Sequence, residues 1–517
     1  MRVAHPEYAA RVTPEMMTEV RQIAVRLLDE VGFVAEHATF LDHLRGRPGL
    51  RCAGKRVHFD PALSNEYLDR YIAGLRQSLQ AGRGAAGAAT QGEELALGRV
   101  GRDILDRPSD TPSAGPGCLG PRADQWTLAI AGYSMAILDP RTDEVREATC
   151  DDLRDCIKLA RSFGVGGMYP LMPQDVPPLL RTLACFRICW ESAGNIEPYD
   201  YQQPEQIPFL LDMHRLMGKP MDITFTVPTA MTLDARDLDI FLSVYPRWKA
   251  EGGFNWRILD YGMVGIMKPC SALGCATMQL AESLAVHMLL NLFDPEIDAP
   301  LIMTTGQPTD LRHACWAFGS PRRHAFSYLN AWLAPALCGL EPEEYVETGV
   351  LLETSSPAVD EQAALEKMAA GLLGAMHGAR HFGYAGVLCV DDLFSPTQFV
   401  IDVEMVTYIK ELIEAFAPHP DLVAMDGLYE ECREVGLGLD TFLSHPNTVR
   451  RFRNVMPSSD RIVREKLRSW LQHRRTLKDR ARDEALERIA TCPEFVLDEV
   501  KREGLARVYA EAERVLT

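Results

Sequence analysis

Short apolar runs alternate with amphipathic helical stretches through the middle of this chain, and that rhythm limits the fold more than any other feature. The runs fall at Tyr133 to Leu138, Gly164 to Met168, Met221 to Val227, Phe254 to Leu259, Pro300 to Thr304, Val346 to Leu352 and Arg380 to Leu388. Between them lie helical patterns at Asp151 to Phe163, Val176 to Glu191, Ile207 to Leu216, Ala235 to Ala250, Ala276 to Phe293, Arg323 to Leu337 and Asp360 to His377. Strands separated by helices of roughly ten or more residues predict a parallel sheet. About seven or eight such units predict an α/β fold of the closed (β/α)8 kind, a TIM barrel, rather than an open sheet. No GxGxxG follows a strand and no Walker loop is present, so nucleotide phosphates lack the usual cradles.

The flanks read as helical. Residues 1–80 predict an N-terminal helical cap, opened by a helix from Thr13 to Val31 with Val20, Ile23, Ala24, Leu27, Leu28 and Val31 on one face. Helices at Ala38 to Leu44 and from Pro61 to about Leu79 follow, with a short strand at Arg56 to Phe59. Residues 81–99, beginning AGRGAAGAATQGEE, read as a linker. The barrel is expected over 100–420 and a C-terminal helical extension over 421–517. That extension has helical candidates at Leu422 to Val435 and from Asn447. A long charged helix, with Leu467, Leu471, Leu477, Ala481 and Leu486 on one side, offers a face to a second subunit in a homo-oligomer.

With 54 basic and 72 acidic residues the net charge is −18, which argues against nucleic acid and anionic membrane as partners. No apolar run reaches the ~18 residues of a membrane span. The N-terminus lacks an apolar h-region, so a cytoplasmic location is expected. Thirteen cysteines are scattered without a CxxC pair, which argues against a disulfide framework or a zinc ribbon. Most read as small buried hydrophobes, and Cys270 and Cys275, in a predicted strand-to-helix loop, read as structural thiols with a redox-active pair as the alternative.

Chemistry concentrates between Thr354 and Glu404. A helix there is expected to bury Leu365, Met368, Leu372 and Met376, and a strand-like run follows from His381 to Cys389. Cys389, Asp391 and Asp392 then stand at that strand's carboxyl end, where parallel α/β folds place reactive groups.

Several segments together resemble the trimethylamine methyltransferase family, and specifically its corrinoid-dependent, non-pyrrolysine branch that includes glycine betaine methyltransferases. They are ILDPRTDEVREATCDDLRDCIKLA (137–160), PQDVPPLLR (173–181), CWAFGSPRRHAFSYLNAWLA (315–334), DEQAALEKM (360–368) and FLSHPNTVRRFR (442–453), with TPEMMTEVRQIAVRLLDEVGF near the start. The resemblance implies a (β/α)8 barrel that transfers a methyl group from a small methylated amine to Co(I) of a corrinoid (cobalamin) on a partner protein, with no cofactor tightly bound to this chain. The chain departs from the family pattern near its SLEQLVLD motif, here SPTQFVID (395–402). The motif's glutamate is Thr397, and Gly383, Tyr384 and Cys389 stand where the family carries a His-Gly pair and an acidic residue. Nothing in the sequence stands for pyrrolysine.

Methyl transfer to Co(I) asks the protein to hold an electrophilic methyl carbon in line and to stabilise the leaving group. A quaternary ammonium leaves as a neutral amine and needs only ring faces and carboxylates around it. Asp391, Glu353 and His381 are the expected catalytic groups, with Asp260 and Glu347 as further carboxylates. Trp256, Tyr261, Trp316, Phe318, Phe382, Tyr384 and Arg312 are the expected substrate contacts, Trp256 and Tyr384 being first choices, and Phe254, Tyr328 and Trp332 are further rings. Arg257, Arg312 or His381 would receive a betaine carboxylate. Two alternatives stand beside this reading. His377, His381, Cys389 and Asp391 would form a zinc site acting on a methoxy or methylthio compound, or the barrel would bind a betaine without catalysis.

Overall fold

The computed structural model describes residues 11–84, 126–198, 203–260, 262–299, 301, 306–340, 349–415, 419–456, 459 and 461–517. The expected linker beyond residue 84, Tyr261, Glu347 and most of the run at 300–304 therefore lie outside the described residues.

The N-terminal segment is more than helices. Thr13 caps α1 (Pro14–Arg26) by accepting from Met16 N, and the helix passes into a π turn, Leu27–Val31, that Gly32 closes at φ 73°. That turn rotates the end of the helix, so Val31, expected inside, is exposed, and Ile23 of α1 faces solvent as well. Strands β1 (Phe33–Ala35), β2 (Leu50–Ala53) and β3 (Arg56–Phe59) form a small antiparallel sheet around α2 (Ala38–Leu44), and α3 (Pro61–Gly84) follows. β3 falls where the sequence predicts a strand, whereas β1 and β2, of three and four residues, carry too little alternation to show in sequence.

The central series then runs in order. It comprises β4 (Thr127–Ile130), β5 (Ala136–Leu138), β6 (Val145–Glu147), α4 (Cys150–Ser162), β7 (Gly166–Met168), α5 (Pro178–Ser192), β8 (Ile196–Glu197), α6 (Ile207–Met217) and β9 (Met221–Val227). It continues with β10 (Thr232–Leu233), α7 (Ala235–Glu251), β11 (Phe254–Asp260), β12 (Met263–Val264), α8 (Ala272–Phe293), β13 (Gln307–Asp310), β14 (Cys315–Trp316) and α9 (Pro321–Leu337). The last part is β15 (Gly349–Leu351), α10 (Glu361–Met376), β16 (His381–Ala385), β17 (Val387–Leu388), β18 (Leu393–Phe394) and α11 (Pro396–Glu414).

Five strands form one parallel sheet in the order β15-β16-β4-β7-β8, and β9 pairs with β11 in a second parallel sheet. The fold is thus mixed α/β, and the described strands do not close into one ring of eight. The first strand of the series, β4, lies beside the last, β16. Smaller sheets grow from the loops beyond the carboxyl ends of these strands. β17-β18-β5-β6 joins the loops after β4 and β16, β12-β13-β14 follows β11, and β10 ties the loop after β9 to β1.

One apolar core joins the N-terminal segment to α8, β9 and β11, and another joins β4, β16, α4 and α11. Helix α8 is the one described helix long and apolar enough to cross a membrane. It packs against α1, α3 and β11 instead, as a helix apolar on all sides does inside a large core. Helix α10 approaches the sheet by a face of small residues. Ala363, Ala370, Gly371, Gly374 and Ala375 are buried, whereas Leu365, expected inside, is exposed. A Cβ on Gly374 would lie 2.0 Å from Val350 Cγ2, so a bulkier face has no room there.

The C-terminal part holds α12 (Leu428–Gly436), α13 (Pro446–Val455), α14 (Leu467–His473), α15 (Leu477–Thr491) and α16 (Glu499–Leu516). The expected long charged helix is broken at Arg474, left-handed at φ 53°, and Thr476 and Asp479 start α15 afresh with a capping box. Ala481 and Ala485 bury α15 against α4 and α11, and α16 packs on α5 and α6.

Candidate active site

The carboxyl ends of β4, β15 and β16 meet in a strained cluster of loops. β16 slips register against β4 between Phe382 and Ala385, and Tyr384 lies in this bulge at φ 62°. Tyr133 (φ 45°), Cys389 (φ 49°) and Val390 (φ 69°) are also left-handed. Such conformations cost on the order of 1–3 kcal/mol each and gather where a loop must aim a side chain. Here hydrogen bonds hold them. Cys389 N donates to Ser356 O (2.7 Å) and Val390 N to Thr354 O (2.9 Å), which straps the turn 389–392 to the loop after β15.

The strapping brings two carboxylates to one end of the sheet. Tyr133 Oη donates to Asp391 Oδ2 over 3.0 Å. Burial pushes the Asp391 carboxyl above its ordinary value, the Tyr133 hydrogen bond opposes that rise, and the charge of Asp392 adds to it. Among the described residues no cation pairs with Asp391. Glu353, directly after β15, is buried and accepts from Arg323 Nε of α9 at 3.2 Å. Burial raises the Glu353 carboxyl too, Arg323 counteracts it, and Asp391 raises it further, so the two acids feel one another.

The same loop carries the rings. Glu366 Oε2 accepts from Thr354 Oγ1 (2.6 Å) and Ser355 N (2.8 Å), and Ser355 Oγ donates to Phe318 O (2.9 Å). Phe318 stacks on Trp316 with ring centres 5.4 Å apart and planes 3° from parallel. Asp391, Glu353, Trp316 and Phe318 are thus linked through residues 353–356, and Tyr384 stands half-buried in the adjoining bulge.

Behind this face a buried ion pair anchors the turn. Lys367 Nζ and Asp402 Oδ2 are 2.7 Å apart with both side chains fully buried. Asp402 also accepts from Gly386 N (2.8 Å) and Gln398 Nε2 (2.8 Å), while Ser395 caps α11 by accepting from Gln398 N. The Ser, Gln and Asp of SPTQFVID are therefore structural parts of the turn's support. Gly386 is required there, since at φ 87° a Cβ would lie 2.5 Å from the Phe394 ring.

Other expected residues lie elsewhere. His381 sits at the amino end of β16, 2.6 Å from Thr127 Oγ1. Phe382 is fully buried, stacked on Trp126 at 5.6 Å. Trp256 faces the helix layer, with Phe241 at 5.6 Å and Trp248 at 5.2 Å, and Phe254 joins that ring cluster. The cage role expected of Trp256 gives way to core packing. Arg257 pairs with Asp222 at 2.8 Å, and Arg312 is exposed in the β13–β14 turn beside Asp310. Asp260 is locked with Glu282 onto Lys268. The side chains of Tyr328 and Trp332 lie outside the described residues. The zinc set does not converge. His377 and His381 precede β16 or begin it while Cys389 and Asp391 follow it, a span of about 15 Å for five residues. Among the described residues no three His, Cys, Asp or Glu groups gather as metal ligands.

Sequence reasoning missed Tyr133, Arg323, Glu366 and Lys367. Lys367 was legible as the polar member of the series Ala363, Lys367, Gly371 and Gly374, which is the face α10 buries.

The parallel strands and helices define an α/β protein, with a carboxylate-bearing, ring-flanked cluster at the strand ends where such folds place their chemistry. Residues 125–514 match the model of the trimethylamine methyltransferase (MTTB) family, and the chain belongs to that family. The family is one of methyltransferases acting on methylamines. The match opens just before β4 and ends in α16, so the N-terminal segment lies outside it. No curated protein matches the chain.

Proposed function

We propose that this chain moves a methyl group from a quaternary amine of the glycine betaine type to Co(I) of a corrinoid on a separate protein. In this reading the parallel sheets are arcs of one (β/α)8 barrel spanning about 100–420, capped by residues 1–80 and extended by 421–517. The strand order supports it, because closure requires the last strand to lie beside the first, as β16 lies beside β4.

The observation that carries the donor class is Asp391. It is half-buried, has no cationic partner among the described residues, and shares a loop system with the Trp316–Phe318 pair. A carboxylate held out of water without a countercharge is costly, and a permanent cation between it and ring faces relieves that cost. The quaternary nitrogen keeps the carbon–nitrogen electron pair as the methyl departs, so it leaves neutral and needs no acid. The corrinoid supplies the nucleophile. The residues of this chain fix the cation, orient one methyl outward and keep water away. Met135, Ile266 and Leu311 on loops and Leu351 at the end of β15 are exposed at these strand ends, giving the carrier an apolar rim to meet.

Calorimetric titration with glycine betaine and its carbon isostere, 3,3-dimethylbutyrate, tests the charge requirement. The cation is expected to bind at least about tenfold more tightly. Equal affinities would remove the cation site.

A further inference from the structure

Helix α13 is built inside out. Its Arg451 side chain, 14% exposed, pairs with Asp426 of the turn before α12, while Asn447 Nδ2 donates to Glu431 of α12 at 2.8 Å. Polar contacts therefore hold α13 against α12 and the turn before it. The apolar residues Val449, Phe452, Val455 and Met456, spaced along one side of the helix, face solvent instead. In the connecting loop Leu439 and Leu443 are 70% and 86% exposed. No residue of α12 or α13 is buried.

Thirteen large apolar side chains between Leu422 and Met456 are exposed. At about 70 Å² each they present on the order of 900 Å² of apolar surface. That total is close to the roughly 800 Å² that each partner gives to a stable interface.

We propose that this face packs against a second copy of the chain about a two-fold axis, α12 and α13 of one copy lying on α13 and α12 of the other. Three features favour a second copy over another protein. The area is that of a stable dimer. The exposed charge is self-complementary, since α12 presents Glu430 and Glu434 and α13 presents Arg450 and Arg453, so a two-fold axis sets an acidic helix against a basic one twice. The patch is also apolar enough to need permanent cover, whereas a carrier that docks and leaves in each cycle suits a smaller, more polar surface.

Sedimentation velocity of the full chain at micromolar concentration tests this, with the double variant Val449→Asp/Phe452→Asp as the comparison. The unaltered chain is expected to sediment as a dimer of the 57.7 kDa protomer. The double variant is expected to be monomeric, its dimer dissociation constant raised at least ~100-fold. Its far-ultraviolet circular dichroism and melting should match those of a monomeric protomer that is fully folded, because both side chains already face solvent. An unaltered chain that is monomeric throughout, or a double variant that remains dimeric, would overturn the proposal.

Discussion

Tyr133 and Asp391, 258 positions apart in the chain, meet at 3.0 Å where the neighbouring strands β4 and β16 end. Both loops reach this contact through left-handed backbone, at Tyr133 on one side and at Cys389 and Val390 on the other. The phenol holds the carboxylate in place without neutralising it, which leaves Asp391 able to face a cation.

The pH dependence of ligand binding follows from that contact. Asp391 titrates above the ordinary aspartate value, so the fold loses stability as pH rises from the ordinary value through the raised one. A quaternary amine binds the ionised form. Affinity should therefore climb across the same window and level off above it, with a proton released per ligand bound within it. Asp391→Asn should flatten the profile and weaken binding by at least about tenfold. Tyr133→Phe removes a donor worth about 1 kcal/mol and should move the window upward. Calorimetry in buffers of different ionisation enthalpy measures both effects, and a flat profile in the unaltered protein would count against Asp391.

Two tryptophans should separate stability from binding. Trp256 lies among Phe241, Trp248 and Phe225 in the helix layer, so Trp256→Ala should cost about 3–5 kcal/mol in urea unfolding. Trp316 is half-buried and stacked on Phe318. Trp316→Ala should cost only about 1 kcal/mol of stability while weakening a quaternary ligand several-fold. The reverse pattern would place the ligand in the wrong layer.

Lys367→Met should destabilise the protein by roughly 3–5 kcal/mol, because it strands the fully buried Asp402 carboxylate. The turn that Asp402 holds through Gly386 N carries Asp391, so ligand affinity should fall with stability. Unfolding curves and titrations on the same sample would show whether the two losses travel together.

The helices were legible because apolar spacing and caps are local properties. Thr13 and Asp360 cap as their types predict, and Asp391 follows a strand as the pattern of runs implied, but α11 and its cap Ser395 are not among the expected helices. What escaped was decided by partners distant in sequence. The run expected at Tyr133 to Leu138 holds only β5, Ala136–Leu138, which pairs with β18 from the far end of the series, while the strand that joins the central sheet is β4, just upstream at Thr127–Ile130. Lys367 shares the spacing of the buried face of α10, but what lets a lysine stay there is Asp402, a partner 35 positions away. Trp256 reads as a site residue from its polar neighbours Asn255 and Arg257, yet alternation along β11 turns it to the other face, where Phe241 and Trp248 enclose it. The motif ILDPRTDEVREATCDDL owes its pattern to structure as well, with Arg146 bridging Asp139 (2.9 Å) and Asp152 (2.6 Å) to fix the β5–β6 hairpin on α4.

The most direct test mixes the purified chain with Co(I) cobalamin and, separately, glycine betaine, other quaternary amines, trimethylamine and a methoxylated compound. The account predicts that Co(I) absorbance is lost with at least one quaternary amine, with one demethylated amine formed per cobalt consumed, and that Asp391→Asn abolishes this. Turnover with trimethylamine or the methoxylated compound alone, or tight quaternary-amine binding with Co(I) untouched, would contradict it.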